Sequence, residues 1–226
     1  MNAVTDRWLN DEPANLPAGR QLAPAEAREL ASRAVLKADM LALECRIATS
    51  MPPCTADLVE LAAVGAAVAE CGPRGGRWLQ RSKAERLVQA IEGKIQNNPT
   101  PRIEDFVKLV LAAAVLNRDT VHASPEAMAA AYQAANAKAD EHVSPSTADL
   151  VQLTLVGAAW AQSGPRLSLQ QLRVKRQWVR DKVFAYQSPQ AREFIELAVL
   201  EVVVQVAERN ALRLSAPSCN ASAAVL

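Results

Sequence analysis

Histidine is scarce in this chain: His122 and His142 stand twenty positions apart and belong to no short-spaced ligand cluster. A metal centre draws on clustered His, Cys, Asp and Glu, so neither a metal nor another cofactor is expected. Cysteine is nearly as sparse. Cys45, Cys54, Cys71 and Cys219 form no CxxC pair, and the opening "MNAVTDRWLNDEP" lacks the apolar stretch of a signal peptide. Free thiols in a reducing cytoplasm are the expectation. No long hydrophobic run occurs either, since Leu153 to Ala161, with Thr154 inside it, falls well short of the roughly 20 residues that span a bilayer. No membrane association is expected.

The eight glycines build no phosphate loop: "GPRGGR" at Gly72 has neither a preceding strand nor the Lys-Ser/Thr ending. No nucleophile motif accompanies the two histidines. The acid pairs Glu104-Asp105 and Glu193 with Glu196 are expected to be solvated helix faces rather than general acids. The chain is therefore not expected to be an enzyme.

Repetition is what the sequence does contain. "CTADLVELAAVGAAVAECGPR", Cys54 to Arg74, returns as "STADLVQLTLVGAAWAQSGPR", Ser146 to Arg166, with 14 of 21 positions identical at an offset of 92. Upstream, "PAEARELASRAVLKAD" from Pro24 aligns with "PEAMAAAYQAANAKAD" from Pro125; downstream, "FVKLV" from Phe106 aligns with "FIELA" from Phe194. The order is kept, as a tandem duplication requires. The expected layout is a loosely ordered segment 1–21, a helical unit 22–118, a second unit 122–212 and a flexible tail 213–226.

Each unit reads as four helices, giving an all-α fold of about eight helices in two related, closely packed bundles. First helices open at Pro24 and Pro125, where the missing N–H of proline costs nothing. Second helices open with Thr55 or Thr147 as N-cap, carry Asp57 or Asp149 near the positive end of the dipole, and stop at Gly72-Pro73 or Gly164-Pro165. Their apolar residues run nearly all round, as in a buried helix. The third helix starts at a capping box, Ser82 to Glu85, and carries the stripe Ala84, Leu87, Val88, Ile91 and Ile95; its counterpart runs from about Ser168 to Tyr186. Fourth helices are expected over Ile103 to Leu116 and Gln190 to Asn210, the strand-like "VLEVVVQV" included.

Comparing the copies sorts the polar residues. Cys54 and Cys71 become Ser146 and Ser163, and Glu60 and Glu70 become Gln152 and Gln162, so no function common to both units needs these thiols or acids. Thr, Asp and the loop arginines Arg74 and Arg166 persist.

Charge is distributed unevenly. Arg74, Arg77, Arg81, Lys83 and Arg86 form one basic window around Trp78, and Arg166, Arg173, Lys175, Arg176, Arg180 and Lys182 form another around Trp178. These windows hold 11 of the 25 cations and 2 of the 24 acids. At the offset of 92, Arg81 matches Arg173 and Lys83 matches Lys175. Cations beside an aromatic suit nucleic-acid backbone with base stacking. The expected function is thus a non-catalytic helical protein that binds nucleic acid without reading sequence, or a component of a nucleoprotein complex. The alternative is a protein-interaction module, inhibitor or adaptor that sets the same segments, or the apolar fourth helices, against an acidic partner. Internal pairing of the windows with the chain's own acids is a third reading of the same charges. Arg176 shares a helical face with Leu172, Val179 and Val183, which marks either an imperfect stripe or a buried partner for an acid. A homodimer through the last helix is a further expectation.

Overall fold

A computed structural model describes residues 24–50, 53–70, 81–118, 123–141, 144–164 and 166–215. Among these residues there are eight α-helices and no strand: α1 Pro24–Thr49, α2 Thr55–Glu70, α3 Arg81–Gln96, α4 Ile103–Asn117, α5 Pro125–Asp140, α6 Thr147–Gln162, α7 Leu169–Ala185 and α8 Ala191–Ser215. The helices that are apolar all round form the centre. α2 and α8 pack together, as do α4 and α6, and α4 crosses α8; each of α2 and α6 also packs on the fourth helix of its own unit. Outside them, α1 lies on α2, α5 on α6, α3 on α4 and α7 on α8. Exchanging the units maps this set of packings onto itself. One hydrophobic core runs through both.

Individual contacts repeat as well. A Cβ at Gly65 would lie 2.2 Å from Leu111 Cδ1, and one at Gly157 would lie 2.6 Å from Val199 Cγ2. Leu111 and Val199 are related by the offset of 88 that relates Phe106 to Phe194, so the same glycine seats the same neighbour twice. Where the units meet, the Gln162 side-chain amide donates to Glu70, its own counterpart, and Arg209 holds the other Glu70 oxygen.

Two registers differ from the sequence alignment. Arg46 pairs with Asp57 at 3.2 Å and Lys138 with Asp149 at 2.7 Å, while Met40, Leu43 and Ile47 are buried where Tyr132, Ala135 and Ala139 are. These pairs fix the α1 to α5 offset at 92, not the 101 of the Pro24 to Pro125 match. Both prolines do open helices, but α1 is ten residues longer. Likewise Lys94 binds Asp105 at 2.6 Å and Lys182 approaches Glu193 at 3.9 Å, which sets α3 against α7 at 88. The segment between α6 and α7 is four residues shorter than that between α2 and α3. In the helix register Arg81 and Lys83 therefore correspond to Leu169 and Gln171, not to Arg173 and Lys175.

The caps also move by one residue. Cys54 Sγ accepts the Asp57 amide at 3.3 Å, and Ser146 Oγ accepts that of Asp149 at 3.2 Å, so these residues cap α2 and α6 while Thr55 and Thr147 are the first helical residues. The thiol and the hydroxyl do one job, which explains their exchange. Gly164 ends α6 with φ +75°, where glycine avoids the Cβ clash. Ser168 and Gln171 close a capping box on α7.

The acids at the starts of α4 and α8 are not solvated faces. Glu104, Asp105 and Glu193 are buried and are held by Arg102, Lys94 and Lys182. Burial also pushes the carboxyls of Glu44, Glu104 and Glu201 above the ordinary glutamate range, against the opposing pull of Lys108, Arg102 and Arg176. A folded-state value above the unfolded one means that these groups contribute stability fully below the unfolded value and lose it as pH rises through the folded value. Glu201→Gln, which stays neutral, is expected to shrink the fall in Tm between mildly acidic and neutral pH, read by circular dichroism beside the parent chain. An equal fall in both chains contradicts the assignment.

α8 buries its apolar residues between Phe194 and Val206 within the chain. Phe194, Ile195, Leu197 to Leu200, Val202 to Val204 and Val206 are all buried, against α2, α4, α6 and α7. The β-branched run is helical because packing on every side outweighs its propensity. From Phe194 to Val206 the apolar side chains are thus taken up by the core, while Leu212 near the end of α8 is exposed. Among the described residues no helix is long and apolar enough to cross a membrane.

Candidate binding surfaces on the second unit

α7 packs chiefly on one neighbour through Leu172, Val179 and Val183, with Arg176 half-buried in the same stripe. Arg176 Nη1 lies 3.4 Å from Glu201 of α8, so the apolar face holds a cation whose acid is internal. Other cations of the window are also engaged within the chain: Arg166 with Glu126 at 2.8 Å, Arg173 with Glu208 at 2.7 Å, and Lys182 near Glu193. Lys175 and Arg180 are exposed and make no ion pair with a described residue. The surface is therefore far less basic than its sequence.

Helical winding sorts what remains. Val174, Trp178 and Lys182, spaced by four, share the outer face, with Tyr186 just beyond the helix end. Val174 is 60% exposed and Trp178 59%. The Lys182 ammonium sits 5.7 Å from the Trp178 ring centre and 5.8 Å from that of Tyr186, joining the two aromatics. On the other flank lie Arg173, Arg180 and the exposed Phe184. Of the first window, Arg74, Arg77 and Trp78 lie outside the described residues, as do the side chains of Arg81 and Lys83 at the start of α3; Arg86 is exposed on α3. Both histidines and Cys71 and Cys219 are also outside the described residues, whereas Cys45 and Cys54 are free and exposed.

A second feature went unread in the sequence. A cavity of about 340 Å³ opens beside α5 and α6, lined by Tyr132, Asn136, Trp160, Lys175 and Glu196 among others. Tyr132 and Trp160 stack with ring centres 4.9 Å apart and planes 5° from parallel, and both are buried. The Tyr132 hydroxyl, Trp160 Nε1 and Asn136 Oδ1 have no hydrogen-bond partner among the described residues. Burial, with the Glu196 carboxylate second, pushes the Tyr132 phenol well above its ordinary range against the pull of Arg192, so the hydroxyl keeps its proton. The signal available in the sequence was the exchange of Val68 for Trp160 in otherwise matching copies.

No protein-family model, curated protein or solved structure matches the chain. The residues themselves carry the functional reading.

Proposed function

We propose that the protein is a non-catalytic interaction module that docks the outer face of α7 on a partner protein. The observation that carries this reading is the row of exposed side chains Val174 and Trp178 on α7 and Tyr186 at its end, on a helix whose opposite face is used by the core. Large aromatics left in water on a folded surface supply the central contacts of protein interfaces, with arginine and lysine at the rim. Lys175 and Arg180, exposed on α7 with no ion pair to a described residue, favour a partner surface edged by acids.

Nucleic-acid binding is the second reading, favoured by the Trp178–Lys182–Tyr186 platform, on which bases would stack. Its electrostatics are weak on α7. Neutralising two phosphates of a single strand gives a log–log salt slope of about −1.4, whereas six give about −4. On α7 the further cations Arg173, Arg176 and Lys182 would first have to leave Glu208, Glu201 and Glu193.

Fluorescence anisotropy of labelled single-stranded DNA, duplex DNA and RNA against nuclease-treated protein separates the readings. The interaction module is expected to show no sub-micromolar binding at near-physiological salt. Sub-micromolar binding with a steep salt slope, lost in Lys175→Ala/Arg180→Ala, would replace the first reading with the second.

A further inference from the structure

Comparing the two units at their structural registers isolates one place where they diverge in chemistry. In the first unit, Glu44 of α1 faces Lys108 of α4, with Nζ to Oε1 at 3.4 Å, and the Glu44 side chain is only 1% exposed. Their counterparts in the second unit, at offsets of 92 and 88, are Asn136 and Glu196. Met40 and Val68 are replaced in the same registers by Tyr132 and Trp160. An ion pair among aliphatic side chains has become a carboxylate, an amide and an aromatic pair, and all four residues line the cavity beside α5 and α6.

The exchange removes the cation of the Lys108 register; of the cations at the cavity lining, Arg166 is paired with Glu126, and Lys175 stands where the first unit has Leu87. Lys108 has no positively charged successor, because Glu196 stands in its place. Arg192, the cation next along α8, is bound to Asp140. Glu196 makes no ion pair with a described residue. Around it lie three buried polar atoms with no partner among the described residues, the Tyr132 hydroxyl, Trp160 Nε1 and, on the half-buried Asn136, Oδ1. Tyr132 is 7% exposed and Trp160 5%, so neither satisfies its polar atom by reaching bulk water. Such groups cost free energy unless they meet a partner.

The geometry points to a binding site for a small organic ammonium with a flat apolar body, its charge on Glu196 where the first unit carries the Lys108 ammonium. Tyr132 and Trp160 supply an aromatic wall, to which a cation and an apolar ring are both attracted. Asn136 Oδ1 accepts an ammonium N–H. The volume of about 340 Å³ lies at the lower end of the range for small-molecule sites, sized for a metabolite rather than a peptide. Free amines and amino acids share this chemistry. They differ in whether Lys175, exposed at the lining without an ion pair, receives a carboxylate.

Isothermal titration of the full chain with phenethylamine, L-phenylalanine and 3-phenylpropionate tests the site. Both ammonium compounds are expected to bind, and the carboxylate lacking an ammonium to bind at least tenfold more weakly. Tighter binding of L-phenylalanine identifies an amino acid as the source, and tighter binding of phenethylamine a free amine. Glu196→Gln is expected to weaken both about tenfold with helicity and Tm unchanged. The double substitution N136E/E196K rebuilds the ion pair of the first unit and is expected to abolish binding while the fold persists. Trp178→Ala, on the outer face of α7, leaves the titration unchanged, so this site stands or falls apart from the docking surface. Equal binding of 3-phenylpropionate and phenethylamine, unchanged affinity in either Glu196 variant, or no binding of either ammonium at millimolar concentration overturns the proposal.

Discussion

Phe194→Ala is expected to lower the free energy of unfolding by about 3–5 kcal/mol, and Phe106→Ala by a similar amount. Both rings are buried to within 2% of complete and begin the inner helices α8 and α4 at equivalent positions. Each truncation removes apolar burial and leaves a cavity that neighbouring helices, packed against one another on several sides, cannot collapse to fill. Since small globular proteins are stable by roughly 5–15 kcal/mol, either loss is a large fraction of the whole. Urea unfolding followed by circular dichroism measures both. Costs that agree support the matched environments of the two units; a large cost at one position and little at the other contradicts them.

The second large effect concerns the point where the units meet. Arg209→Met is expected to cost about 3 kcal/mol or more, because it leaves the Glu70 carboxylate, with its side chain 3% exposed, facing only an amide. Glu70→Gln added to Arg209→Met should recover most of that loss, since an amide in place of the acid leaves no unpaired charge. The resulting coupling between the two positions, read from a double-mutant cycle, is then large. Additive costs would mean that Arg209 acts elsewhere. The same pair explains how the sequence tolerates Glu at one copy and Gln at the other: the Gln162 amide donates to the Glu70 carboxylate where the units meet.

Helix existence and order were legible because caps, prolines and apolar stripes act locally. Ala84, Leu87, Val88, Ile91 and Ile95 are all buried as their spacing requires. Register was not legible. A slip of four residues is close to one helical turn of 3.6, so an α7 shifted by four keeps its apolar stripe nearly in phase, and the sequence alone cannot separate an offset of 88 from one of 92. The shared Lys-Ala-Asp of residues 37–39 and 138–140 misled in another way: it is a chance likeness in alanine-rich helices, and the packing of Tyr132 opposite the place of Met40 overrules it. Nor could the sequence show that Arg173 and Arg176 meet Glu208 and Glu201, because those acids arrive from the next helix, 35 and 25 residues on. The basic character of the window was real in composition and largely cancelled in space. The cavity was hidden for the same reason, since its residues come together only once α5, α6, α7 and α8 are placed.

What distinguishes the second unit is thus a helix that wears its aromatics outward, on a scaffold whose packing the first unit repeats. Photocrosslinking tests that claim most directly. A photoreactive amino acid is placed at position 174 on α7 and, separately, at 89, an exposed site on α3 that corresponds to Gln177. Each chain is irradiated in the cells that make it and the products are resolved with and without nuclease. A discrete protein adduct from position 174, unaffected by nuclease, lost on Trp178→Ala and absent from position 89, is the expected result. Adducts that vanish with nuclease, or that form equally from both positions, contradict it.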